Sequence, residues 1–352
     1  APRDRLTISN SIAAPDLYRY RIRARNGSTN SPYSNIVEVD TRATPLPTVD
    51  PRATIFSPDD AFLTDDGRVY MLASQHSSIF VWDMNRQDWL TTIPLRGQAR
   101  YMSYSPSFDA IFTSYEDGRL YAIPRLGSPT SELAFAEGPL DGTCGLVAAD
   151  EYLVTCDNYG AWQSQSSFSM SGNLLDTREW RYPINGGTWS AQNRRVYHLR
   201  DNTSPNDLIA IPVSASGVLG AEVDSPYHTS LGIGHPVRVS PSGNIVILGP
   251  GQVFDANTLM YAGNLPRPMV DAAWMNNRLF SAQGSRIDAH LDGSYALTTP
   301  TRTLDRPILR LFAHASGKFV VVLSRADGGT ELRLLDMQLD TVEKPIILDG
   351  FE

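Results

Sequence analysis

Two cysteines are the residues best placed to react with each other. Cys144 and Cys156 flank Gly145–Thr155, which reads as a strand, a tight turn at Asp150-Glu151 and a second strand. If the hairpin turns about residue 150, the cysteines face each other across antiparallel strands, where Cβ atoms fall within disulfide range. A bridge there contributes roughly 3 kcal/mol in the chain-entropy picture and implies an oxidising compartment. The alternative is a pair of buried free thiols. The histidines, His76, His198, His228, His235, His290 and His314, show no i, i+4 pairing. A metal site would need several of them to converge from distant segments, and scattered surface or core histidines are the simpler reading. Asp65-Asp66-Gly67, Glu116-Asp117-Gly118, Asp292-Gly293 and Asp327-Gly328-Gly329 lack the alternating oxygen ligands of a calcium loop, and Asp-Gly is first of all hairpin chemistry. No G-x-S-x-G, P-loop or dinucleotide motif occurs. The expectation is therefore no cofactor, no metal and no identifiable catalytic residue.

The elements that would position any site are short strands. From about residue 59 the chain is quasi-periodic. The first unit reads Phe62–Thr64, turn Asp65-Asp66-Gly67, Arg68–Ala73, Ser78–Met84 and Trp89–Leu95. Equivalent first strands begin near Asp60, Tyr101, Cys144, Gly187, Pro236, Val270 and Leu309. Units of about 40 to 45 residues with four strands each specify a β-propeller, and seven of them fit between residues 59 and 352. Ile79–Met84, Val253–Asp255 and Leu334–Met337 resemble the third-strand endings of WD40-like and YVTN-like propellers. Only Trp82-Asp83 supplies Trp-Asp. The units thus look more like the divergent propellers of secreted bacterial proteins. Propeller lactonases and quinoproteins are enzymes, but their ligand and cofactor residues find no match here.

The first 43 residues differ. Tyr18, Tyr20, Ile22 and Ala24 alternate with arginines, a polar loop follows, and Ile36–Asp40 alternates again. With Asn26 and Tyr33-Ser34-Asn35, this resembles the last part of a fibronectin type III β-sandwich. The resemblance implies that missing strands are supplied earlier in the polypeptide or by a neighbouring subunit, the latter making the chain a filament building block. Around residues 5 to 8 a further strand is expected. Residues 44–58 read as a linker, within which Arg52–Phe56 is expected to pair with the last outer strand and so close the ring. Blade seven is expected to end with a fourth strand, Pro345–Leu348.

With 41% apolar residues the chain can bury a large core, and frequent glycine (26) and proline (24) suit many turns. A net charge of −8 disfavours a nucleic-acid partner, and no apolar run is long enough for a membrane helix. Loops following fourth strands and those joining second to third strands share one face. There they gather Arg96, Arg100, Tyr159, Trp162, Arg200, His235, Arg267 and Arg306, a mixture suited to sugars, carboxylates or protein loops; ordinary polar loop residues are the equal alternative. The whole chain reads as all-β, a seven-bladed propeller preceded by a partial fibronectin type III-like sandwich. The expected role is extracellular recognition, adhesion or assembly at a cell surface or appendage, with a glycan or protein partner. The rival reading is a secreted propeller enzyme of lactonase, lyase or glycan hydrolase type.

Overall fold

The computed structural model describes residues 17–20, 23, 25–27, 29–31, 34, 37–40, 48–125, 132–138, 142–157, 163–184, 186–200, 204–228 and 230–344. The chain divides into two compact units, Ala1–Pro47 and Thr48–Glu352. In the first, Leu17–Tyr20 pairs antiparallel with Val37–Asp40, setting Tyr18 opposite Val39 and Tyr20 opposite Val37. A second short pair joins Arg25–Asn26 to Thr29–Asn30. The strand expected over residues 5 to 8 lies outside the described residues.

The second unit is a seven-bladed β-propeller. Among the described residues, six sheets have four antiparallel strands in sequence order, and the seventh has three: Ile308–His314, Lys318–Ser324 and Thr330–Leu335. First strands begin at Asp60, Tyr101, Thr143, Thr188, Val237, Asp271 and Ile308. First strands of neighbouring blades contact one another, those of blades five and six through Arg238 and Asp271, and so surround the axis. The fourth strand expected over Pro345–Leu348 lies outside the described residues; before it, Val342 N–H donates to Leu334 O at 2.8 Å.

Strand alternation builds the core. In Arg68–Ala73, Val69, Met71 and Ala73 pack toward blade seven, while Tyr70 and Leu72 pack toward blade two. Phe319, Val321 and Leu323 likewise face blade six, and Val320 and Val322 face blade one. A strand covered on both faces needs apolar side chains at consecutive positions, which is why the second strands read as unbroken apolar runs. Outermost strands face water on one side, and in blades one, two, three, five and six their pairing carries a β-bulge. Such bulges spoil the flat edge that another sheet could extend.

Ring closure departs from expectation. Among the described residues, Arg52–Phe56 forms no strand. Phe56, 2% exposed, instead inserts its ring at the seam between blades seven and one. It meets Phe80 edge-on at 4.5 Å and Trp89 at 5.9 Å, and its carbonyl accepts from Thr330 Oγ1 at 2.5 Å. The preceding segment is tied to blade one, where Arg52 donates to Asp88 and to Trp89 O at 3.1 and 2.9 Å and Thr92 donates to Val49 O at 2.6 Å; between blades seven and one, His314 Nε2 lies 2.9 Å from Asp65 O. A buried aromatic ring adapts to the wedge-shaped gap between two twisted sheets better than another extended strand does.

Cys144 and Cys156 form a disulfide inside the apolar cluster between blades three and four. They are not direct cross-strand partners: Gly145 opposes Cys156, Thr143 opposes Asp157, and the register slips between them. Cys144 is the extra residue of this bulge, and the local bend brings it to a Cα separation of 5.2 Å from Cys156, within the disulfide range. Gly145 completes the arrangement, because a Cβ there would sit 2.7 Å from Ile184 O of the next blade. Replacing both cysteines by alanine is expected to lower unfolding stability by about 3 kcal/mol, read as a lower urea midpoint. Under denaturing, non-reducing conditions the native protein is expected to take up no alkylating reagent; two labelled thiols would contradict the bridge.

Candidate functional site

The loop face is held by a repeated arginine device. Where the chain leaves the fourth strands of blades one, five and six, the N–H groups of buried Leu95, Leu265 and Leu304 donate to Ser77 O, Gly251 O and Ser285 O at 2.7, 2.8 and 2.8 Å. Each acceptor immediately precedes a third strand of the same blade. The arginine one or two residues further on then reaches the third strand of the following blade. Arg96 donates to Tyr121 OH at 2.8 Å and stacks 3.8 Å over its ring. Arg267 reaches Asp288 at 3.2 Å and Arg306 reaches Glu331 at 2.9 Å. Asp288 also accepts from Arg286 and Thr301 at 2.7 and 2.9 Å. A rigid fork with several donors suits such bridging. The signal was present in Leu95-Arg96, Leu265-Pro266-Arg267 and Leu304-Asp305-Arg306, a sub-motif of the repeat that strand counting passes over.

The other predicted loop residues have different surroundings. Arg100 pairs with Glu116 at 3.4 Å; Glu116 is 83% exposed, so this pair contributes little. Arg200 is buried, bonded to Asp207 at 2.6 Å, Asp224 at 3.0 Å and Pro205 O at 2.6 Å, with its guanidinium 4.6 Å from the Tyr182 ring centre. Exposed His235 lies over Gly186, where an added Cβ would come 2.8 Å from its Nδ1. Tyr159 and Trp162 lie outside the described residues.

Two groups of residues escaped the sequence reading. The first lies on the axial strands, where Arg238 donates to Asp271 at 2.6 Å and Asp271 accepts Leu311 N–H of blade seven at 2.8 Å. Asp60, on the first strand of blade one, is raised above the usual carboxylate range by burial, against the opposing charges of Arg310 and Arg238. This network ties blades five, six, seven and one together around the axis. Its sequence signal was a charge at the start of otherwise apolar first strands.

The second group fills the boundary of blades three and four. His198 is fully buried, and neither ring nitrogen finds a hydrogen-bond partner among the described residues. Glu222 lies 3.9 Å from its Nε2 and accepts from Gln165 Nε2 at 2.7 Å, with Arg181 at 3.8 Å. Burial drives the His198 imidazole down to about 4, the charge of Arg200 adding to the effect. Burial also raises the Glu222 carboxyl. Asp207 sits below its ordinary value, because hydrogen bonds from His228, Ser225 and Arg200 outweigh burial. Among the described residues, no three His, Cys, Asp or Glu side chains are grouped to hold a metal, and no helix is long and apolar enough to cross a membrane.

No protein-family model and no curated protein matches the sequence. Solved structures match in fold. The WD40 β-propeller domain of Doa1 is similar at a TM-score of 0.52 and 14% identity, covering 80% of this chain and 95% of that one. Hydrazine synthase of Kuenenia stuttgartiensis gives 0.59 and 9%, covering 82% and 97%. The dihydro-heme d1 dehydrogenase NirN gives 0.58 and 13%, covering 86% and 68%. At these identities the likeness is one of fold alone: the protein is a seven-bladed β-propeller with WD40 propellers among its structural neighbours.

The His198 environment makes stability depend on pH. Between its ordinary value of 6.5 and about 4, the unfolded chain binds a proton that the folded chain does not. The stabilisation present above pH 6.5 is therefore lost as pH falls toward 4. Glu222 acts in the opposite sense, since its raised value means that the folded chain keeps a proton the unfolded one has released. Urea midpoints of the wild type and His198→Gln at pH 7 and pH 4.5 separate the two: the wild type is expected to lose more stability on acidification than the variant, by a few kcal/mol. Equal losses would contradict this assignment.

Proposed function

We propose that this chain is an extracellular recognition or assembly module whose loop face binds a glycan or protein partner at a cell surface or appendage. The observation that carries this reading is the anchoring of the loop face. Leu95, Leu265 and Leu304 fix the exits of fourth strands, and Arg96, Arg267 and Arg306 lock the following loops to the next blade. A surface set before binding loses little conformational freedom when a partner arrives, the condition for rigid recognition. The buried Cys144–Cys156 bridge is consistent with a compartment outside the cytoplasm. The antiparallel pair Leu17–Tyr20 and Val37–Asp40 is compatible with a fibronectin type III-like module in the same chain as the propeller, as in modular surface proteins. In a filament, neighbouring subunits would be the protein partners.

The test is a glycan array and an immobilised-protein binding assay, run beside a turnover panel of lactones, polyuronides and aryl glycosides. Saturable binding without turnover is expected, weakened at least about tenfold when Arg267→Ala and Arg306→Ala together loosen the loops. Turnover proportional to protein concentration would replace this reading with the enzymatic one.

A further inference from the structure

The face opposite these loops carries a cleft of about 380 Å³ between blades five and six. Half-buried Trp274 and Tyr295 line it together with Asn276, Asn277, Arg278 and Asp292. The hairpin turn Asn276-Asn277 has both residues in the left-handed region, at φ 50° and 62°, where asparagine is among the better tolerated side chains. Buried His290 also lines the cleft. Its Nδ1–H donates to Tyr295 O at 2.9 Å, which leaves Nε2 to accept from Ser281 Oγ at 2.8 Å. The cleft is thus built from fixed turns.

Apart from His290, Arg278 and Asn276, whose Nδ2 donates to Met337 Sδ at 3.7 Å, its polar side chains are unspent, unlike those of the loop face. Among the described residues, the side chains of Trp274, Asn277, Asp292 and Tyr295 make no hydrogen bond or ion pair with the rest of the protein. Arg278 donates to Thr299 O and has no carboxylate partner among the described residues. The cleft therefore offers two aromatic surfaces, a donor-only indole N–H, an amide and a phenol that both donate and accept, and an accepting carboxylate. Asp292 and Arg278 carry opposite charges, so the site has no net preference for an ion.

We propose that this cleft binds a neutral pyranose sugar, its C–H face against Trp274 or Tyr295 and its hydroxyls bonded to Asn277 and Asp292. Sugar hydroxyls match a carboxylate and an amide lining one cleft, and axial C–H groups match an aromatic face. An apolar ligand would strand the polar groups without partners. The volume falls at the small end of ligand sites, suited to one or two rings. The site lies on the opposite face from the loop platform and does not rest on the reading of that face.

The test uses the full chain with methyl glucoside, methyl galactoside, methyl mannoside and N-acetylglucosamine as probes, and methyl glucuronide as the anionic comparison. Binding is followed by tryptophan fluorescence and saturation-transfer NMR. At least one neutral pyranose is expected to bind saturably. Asn277→Gly, which keeps the left-handed turn, and Asp292→Asn should each weaken it about tenfold, with the circular dichroism spectrum unchanged; Arg310→Ala, on the axis, should leave it unaltered. The proposal is overturned if no neutral pyranose saturates, if the glucuronide is preferred, or if both cleft variants bind as the wild type does.

Discussion

Each sheet of this propeller is pressed on both faces by its neighbours, and everything else in the molecule follows from filling seven such interfaces. Seven apolar clusters do so, one per interface, and strand alternation sends successive side chains of a single strand into two of them. Six of these interfaces join blades consecutive in the chain. The seventh joins blade seven to blade one, whose sequences lie far apart, and there Phe56 completes the packing from outside both sheets. Bringing distant segments together costs loop-closure entropy, so the side chains at this seam must bury well to hold the ring shut.

Polar chemistry is distributed unevenly around this apolar ring. On the loop face, guanidinium groups are used within the structure: Arg96, Arg267, Arg306 and Arg200 each bind a partner in their own or the next blade. Rigidity is what they supply to that face. On the opposite face, the cleft formed by Trp274, Asn277, Asp292 and Tyr295 keeps its hydrogen-bonding capacity available. The inner strands carry a third arrangement, in which Asp271 holds Arg238 and the backbone of blade seven at once.

Blade count and first-strand positions were legible because a strand buried on both faces writes itself as a continuous apolar run between turn residues. Asp60 and Tyr101 start their strands as read; Cys144, Gly187, Pro236, Val270 and Leu309 each fall within one residue of the observed start. The disulfide was legible as a pairing but not in its geometry, because the bulge beside Gly145 answers to Ile184 of the neighbouring blade. The partners of the loop arginines were illegible for a similar reason: Arg96 and Tyr121, or Arg306 and Glu331, meet only after a whole hairpin has folded between them. Phe56 looked like part of a strand, since nothing local distinguishes a wedge from an edge. The cleft combines two turns of blade six with Ile245 of blade five, and no linear spacing links them.

Hydrogen exchange followed by mass spectrometry, on the wild type and Phe56→Ala, tests most directly whether the seam governs closure. If Phe56 holds the ring shut, the variant loses protection first in Arg68–Ala73 and Lys318–Ser324, the strands on either side of the gap, while Tyr152–Asp157 in blade three stays protected. Protection lost equally in all seven blades, or unchanged at the seam, would contradict this account.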